Sequence, residues 1–141
     1  MLAKTIFCEG REYWRDRKNP TFGELVADSV QQRAVLTNRD LASVVHEPGQ
    51  YSFLYDHNKR LFKNPLRNAS KNSEDKKAWE VAYNTALERL NEGPYSQDKA
   101  VTHFWTDIVN EPKWAKNHRP KFVKSGNRKI TRFYYRPECL S

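Results

Sequence analysis

The chain has 141 residues, enough for one hydrophobic core and too few for two. Apolar residues make up 38%, charged residues 30% and aromatics 13%, which excludes a disordered or collagen-like chain, and no run approaches the ~18 consecutive apolar residues of a membrane span. The net charge of +8 is carried entirely by the last thirty residues: 112–141 hold nine Lys/Arg and one acid, Glu138, against sixteen of each over 1–111.

In chain order, the first element predicted is a short helix over Leu2–Glu9. It places Leu2, Thr5, Ile6 and Glu9 on one face, with Gly10 set to stop it. This opening reaches Glu9 before any apolar core develops, so it does not read as a secretion signal. Arg11 to Pro20 is polar loop. Thr21 then caps a helix to about Thr37 and forms a capping box with Glu24, with Phe22, Leu25, Val26, Val30 and Ala34 facing inward. Residues 40–47 suit a short helix capped by Asp40. Pro48-Gly49 forces a turn into the aromatic run 50–55, an irregular segment or short strand.

Residues 57–75 are polar and basic and read as an exposed loop. The strongest helical periodicity follows, with Trp79, Ala82, Tyr83, Ala86, Leu87 and Leu90 on one face. Asn72 or Ser73 caps its start and Gly93-Pro94 ends it. Beyond Pro94, β-branched and aromatic residues around a Ser125-Gly126-Asn127 turn signal predict a small C-terminal sheet or hairpin. The fold class is therefore α+β, helix-rich, with residues 1–141 as a single domain. Cys8 and Cys139 follow no metal or redox spacing and read as two reduced thiols. The four His residues (46, 57, 103 and 118) match no zinc motif, so neither a metal nor a cofactor is expected.

Glu9 stands out among the acids because Phe7, Cys8 and the stripe it shares with Leu2 and Ile6 would desolvate it and raise its pKa. A carboxyl that keeps its proton near neutrality can protonate a departing sugar oxygen, the step glycosidic cleavage needs. The ordinary alternative is a helix-end glutamate paired with Arg11 or capping backbone. A second cluster, His46 to Phe53, presents Gln50, Tyr51 and Ser52, side chains suited to sugar hydroxyls and N-acetyl groups; a plain surface turn has the same composition. A third joins Thr102 and His103 with Trp105, Trp114 and Tyr134, whose rings suit pyranose faces. There a core histidine is the ordinary reading. The basic aromatic tail also suits single-stranded nucleic acid, so a basic nucleic-acid-binding or regulatory module without catalysis is the rival function.

Four ordered segments together resemble the SleB-like cell-wall hydrolase family, which includes spore-cortex-lytic enzymes and phage lysins. Leu2 to Arg11, with Glu9-Gly10-Arg11, is similar to the family's helix ending in Glu-Ala-Arg. Asn38-Arg39 matches an Asn-Arg helix end, and Val45 to Phe53 resembles its Pro-Gly-Gln-Phe-Ser turn. Val101 to Phe104 with Pro112-Lys113-Trp114-Ala115 resembles its Ala-Thr-His-Tyr and Pro-x-Trp-Ala. The terminal Ile-Gly-x-His-x-Phe-Tyr pattern departs: Arg128 to Thr131 expands the turn, and Thr131 stands where the family has His.

The resemblance implies a lysozyme- or lytic-transglycosylase-like domain that cleaves the MurNAc–GlcNAc β-1,4 bond of peptidoglycan, with Glu9 as the lone catalytic carboxyl. It further implies that Gln50, Tyr51 and Ser52 orient the sugar while Thr102 and His103 support Glu9. A hydrolytic muramidase would need a second acid roughly 5–9 Å away, for which Asp107 is the candidate. An inactive family member that keeps glycan affinity is a third reading. With no export signal or separate wall-binding module, the expectation is a monomeric phage endolysin, made in the host bacterial cytoplasm, acting on the wall after release and without stable membrane insertion. Its partners would be glycan strands and, through residues 112–141, anionic cell-envelope polymers.

Overall fold

The computed structural model describes residues 1–47, 51, 62–65, 67 and 73–140. Its architecture is mixed: helices α1 (Leu2–Gly10), α2 (Phe22–Thr37), α3 (Leu41–Val45) and α4 (Ser73–Glu92) precede a three-stranded antiparallel sheet of β1 (His103–Thr106), β2 (Phe122–Gly126) and β3 (Lys129–Tyr134). The sheet order is β1-β3-β2, so β3 lies in the middle; His103 sits opposite Tyr134 and Phe122 opposite Phe133. The expected α+β class with a C-terminal sheet is therefore what the chain forms. Among the described residues no helix is long and apolar enough to cross a membrane.

The signals at the start of α2 act as the sequence predicts. Thr21 accepts a hydrogen bond from the Glu24 backbone N–H, and the Glu24 carboxylate accepts one from the Thr21 N–H at 2.8 Å. Satisfying two otherwise orphaned donors in this way stabilises a helix start by ~1 kcal/mol. Asn38 ends α2 in the left-handed region, and Asp40 caps α3 through the Ser43 N–H at 2.7 Å. Gly93 takes a φ of 81° just beyond α4, a conformation open to glycine at no steric cost.

Other expectations change or gain a second cause. Gly10 ends α1 as predicted, its φ of −144° and ψ of 31° leaving the helical region, and a 3-10 turn over Arg11–Tyr13 follows. Its missing side chain serves packing, because a Cβ there would run into the ring of Phe22. The 57–75 stretch is not simply loop. Residues 62, 63, 65 and 67 are helical, Pro65 is buried, and α4 begins at Ser73. The polar average of that stretch hid Phe62, whose ring meets His46 at 5.9 Å and packs on the core.

The face of α4 is also rotated from the one predicted. Ala78, Ala82, Ala86 and Arg89 are buried, Trp79 is half-buried, and Tyr83, Leu87 and Leu90 are about half exposed. Small alanines let α4 approach α1 and α2 closely, and that contact wins over the larger side chains one position round. In the sheet, the turn falls on Asn127-Arg128, one residue later than the Ser-Gly-Asn signal, between the paired residues Gly126 and Lys129. Of the expansion Arg128 to Thr131, Arg128 lies in the turn and Lys129 to Thr131 are ordinary strand.

An aromatic spine joins the two layers. Tyr13 stacks on Phe22 at 3.9 Å, Phe22 meets Phe133 of β3 edge-on at 5.4 Å, and Phe133 meets Phe104 of β1 at 5.3 Å. Phe104 in turn lies 6.0 Å from the ring of Tyr51. Fully burying each such ring contributes ~2–3 kcal/mol, so this spine fixes the sheet against α2.

Candidate active site

Glu9 lies in the last turn of α1, half-buried, directly after buried Phe7 and Cys8. Its charge acts on two neighbours. It adds to the burial that pushes the Cys8 thiol up to about 12, and to the burial that pushes the Tyr51 phenol up to about 12. Tyr51, 2% exposed, connects this helix end to the rest of the molecule. Its phenol faces Ser29 Oγ at 3.3 Å, and since that hydroxyl gives its one proton to the Val26 carbonyl, Tyr51 is the donor between them. The Arg33 guanidinium sits 6.0 Å from the centre of the Tyr51 ring.

Arg33 carries the connection onward. It is buried at 5% exposure; Nε donates to the Thr102 carbonyl at 2.6 Å, while Nη1 has no hydrogen-bond partner among the described residues. Burial lowers its pKa, with Glu47 and Tyr51 working the other way. Thr102 makes three further bonds: its N–H donates to the Tyr134 carbonyl at 2.8 Å, Oγ1 accepts from the Arg136 N–H at 2.7 Å, and Oγ1 lies 2.8 Å from His103 Nδ1. His103 is held neutral. Burial first, then the charges of Arg33 and Arg136, bring its pKa down to about 3.

Around His103 the structure gathers the three aromatic residues singled out from the sequence. Trp114 lies 4.8 Å from the imidazole and meets Tyr134 edge-on at 5.3 Å. The indole N–H of Trp105 donates to the Tyr134 hydroxyl at 3.2 Å, and Arg132 covers the Trp105 ring at 5.1 Å. Thr102, His103, Tyr134 and Tyr51 are all buried, while Trp105 and Trp114 are half-buried. The buried four hold their neighbours in place from beneath the surface, and the two tryptophans reach it. Gln50 and Ser52 lie outside the described residues.

Thr102 and His103, expected to support Glu9, are held chiefly by one another and by the basic residues around them. Thr102 bonds to His103, to Arg33 and to the Arg136 N–H, and Arg33 in turn faces the Tyr51 ring. Asp107 is also taken: Oδ1 accepts from the Ile130 N–H at 3.0 Å and Oδ2 lies 4.0 Å from Arg132, so it pins the far end of β1 to β3. Thr131, in the position of the family's His, is buried and pairs its hydroxyl with that of Thr106 at 2.7 Å. Two cavities among the described residues lie away from Glu9. One of about 340 Å³ opens between α1, α2 and α4 beside Trp14; the other, of about 460 Å³, lies between Arg15 and Lys124. Among the described residues, no three His, Cys, Asp or Glu side chains converge on a metal-sized site.

Arg33, Ser29 and Arg136 are the site residues the sequence reading missed. The signal available was the polar run Asp28-Ser29 and Gln31-Gln32-Arg33 inside an otherwise apolar helix. All five are buried, and buried polar groups mark either a hydrogen-bonded scaffold or a site. Asp28 belongs to the scaffold: its carboxylate accepts from the Tyr95 N–H at 2.8 Å, the Val101 N–H at 2.9 Å and Gln32, although burial still pushes its pKa up. Compared with models of known protein families, with curated proteins and with solved structures, the chain matches none of them.

Proposed function

We propose that the protein is a peptidoglycan glycosidase of lysozyme-like fold in which Glu9 is the single general acid and base, working as a lytic transglycosylase. The reading rests on the four-segment resemblance to SleB-like hydrolases. The observation that carries it is the placement of Glu9: a half-buried helix-end carboxyl acting on buried Tyr51, which is joined through Arg33 to the strand bearing Thr102, His103 and Trp105. A carboxyl in that position protonates the glycosidic oxygen as the bond to C1 breaks. The resulting carboxylate takes the proton from the MurNAc 6-hydroxyl, which attacks C1 and closes a 1,6-anhydro ring. This route needs no second acid, in keeping with the engagement of Asp107 by Ile130 and Arg132.

The supporting residues have defined tasks in this scheme. Tyr51 lies within range of the Glu9 charge and ties that helix end to Ser29 and Arg33, and the two half-buried tryptophans offer ring faces to the sugar. Gln50 and Ser52 are assigned to sugar orientation by the resemblance alone. The rival basic module has less support, because Lys124, Lys129, Arg132 and Arg136 are all ion-paired and do not form a free stripe. Replacing Glu9→Gln should abolish turbidity loss on purified sacculi with an unchanged melting temperature. Retained lysis rejects the assignment. Mass spectrometry of the released fragments checks the route: an anhydro end, lighter by one water, is expected, and a reducing MurNAc end would mean hydrolysis.

A further inference from the structure

The basic C-terminal segment is less free than its composition suggests. Lys124 pairs with Asp16 at 2.8 Å, Lys129 with Glu12, Arg132 with Asp107 and Arg136 with Glu138. Lys121 donates to the carbonyls of Gln97 and Ala100. Among the described residues, the cations of this segment without such a partner are Lys113, Lys116 and Arg119, which share one turn, and Arg128 alone at the β2–β3 turn. That first turn is built to present charge. Trp114 and buried Ala115 point inward, the Trp114 carbonyl accepts from Arg136 at 2.8 Å, and His118 N–H closes the turn on the Ala115 carbonyl at 3.1 Å. Lys113, Lys116, His118 and Arg119 all remain exposed.

We infer that Lys113, Lys116 and Arg119 form a docking surface for a phosphodiester-bearing anionic wall polymer. The turn presents charge more than rings: Lys113, Lys116 and Arg119 are exposed, whereas Trp114, the tryptophan between them, is half-buried against His103 and Tyr134. The choice of a wall polymer over other phosphodiester chains rests on the proposed glycosidase reading; the charge clustering does not. Such a surface holds the enzyme near its substrate by screened, salt-sensitive attraction.

The test uses the full chain and fluorescently labelled poly(glycerol phosphate), titrated by anisotropy at several salt concentrations. The triple variant Lys113→Gln, Lys116→Gln, Arg119→Gln should lose about tenfold or more in affinity, with the salt slope reduced by roughly two to three counterions. A charge-matched control, Lys63→Gln, Lys76→Gln, Arg128→Asn, should stay within about twofold of the parent if position and not net charge decides. Equal losses in both variants, or no loss in the first, would overturn the proposal. So would tighter binding of a single-stranded oligonucleotide of equal charge that the first variant abolishes. Glu9→Gln should bind the polymer like the parent protein, so failure of the catalytic assignment leaves this result readable.

Discussion

Helices α2 and α4 invert each other's pattern. Helix α2 buries nearly everything between Phe22 and Arg33, including Asp28, Ser29, Gln31, Gln32 and Arg33, whereas α4 buries three alanines and Arg89 and leaves Tyr83, Leu87 and Leu90 half in solvent. The difference is one of position. Helix α2 touches α1, α3 and α4 and reaches the strand region through Arg33 and Asp28, so its polar side chains have no outward direction and must find partners. Helix α4 lies against α1 and α2 on one side, and the close contact selects small residues. Hydropathy alone puts Tyr83, Leu87 and Leu90 of α4 inside and gives no reason to bury the polar residues of α2.

The largest expected effect breaks the polar half of that comparison. Asp28→Ala removes the acceptor for the Tyr95, Val101 and Gln32 donors and should cost about 3 kcal/mol by denaturant titration, since buried donors left unpaired cost ~1–3 kcal/mol each. A loss below 1 kcal/mol would show that water or backbone shifts replace it. Ala82→Leu attacks the close contact of α4 and should cost about 2 kcal/mol, within the ~1–3 kcal/mol of overpacked cores.

The next effect separates the buried cation of α2 from that of α4. Arg33 acts on His103, whereas Arg89 is spent on Glu92, the Gly93 carbonyl and the Tyr95 ring. His103 has a folded pKa of about 3 against an ordinary 6.5. The unfolded chain therefore binds the extra proton between these values, and stability falls as pH drops from about 6.5 towards about 3. The slope from this group is at most ~1.4 kcal/mol per pH unit. Melting curves of His103→Asn over that range should show a shallower acid loss than the parent. The smallest effect tests the exposed face: Leu87→Gln should change stability by no more than ~0.5 kcal/mol, and a loss above 1.5 kcal/mol would mean that this face is covered.

Local chemistry was legible in the sequence wherever a signal acts within a few residues. The Thr21–Glu24 box, the Asp40 cap, the Gly93 stop and the alternation of the C-terminal strands all work over such distances. Signals that depend on a distant partner misled. The periodicity of α4 put Tyr83, Leu87 and Leu90 inside until α1 and α2 were packed against its alanines, and the free charge of residues 112–141 shrank once Glu12, Asp16 and Asp107 were brought to it. For the site, the grouping of Thr102 and His103 with Trp105, Trp114 and Tyr134 was visible, because strand pairing sets His103 opposite Tyr134. The Tyr51–Arg33–Thr102 link was not, since Arg33 lies 69 residues from Thr102 along the chain.

The amino-acid sequence by itself determined the order and kind of most elements, because caps, turns and periodicity are energies of neighbouring residues. Only the tertiary structure decided which face of α4 is inside, which cations are neutralised and how Arg33 reaches both Tyr51 and Thr102. Those outcomes depend on burial and on Coulomb interactions between groups far apart in the chain, whose separations no linear pattern contains.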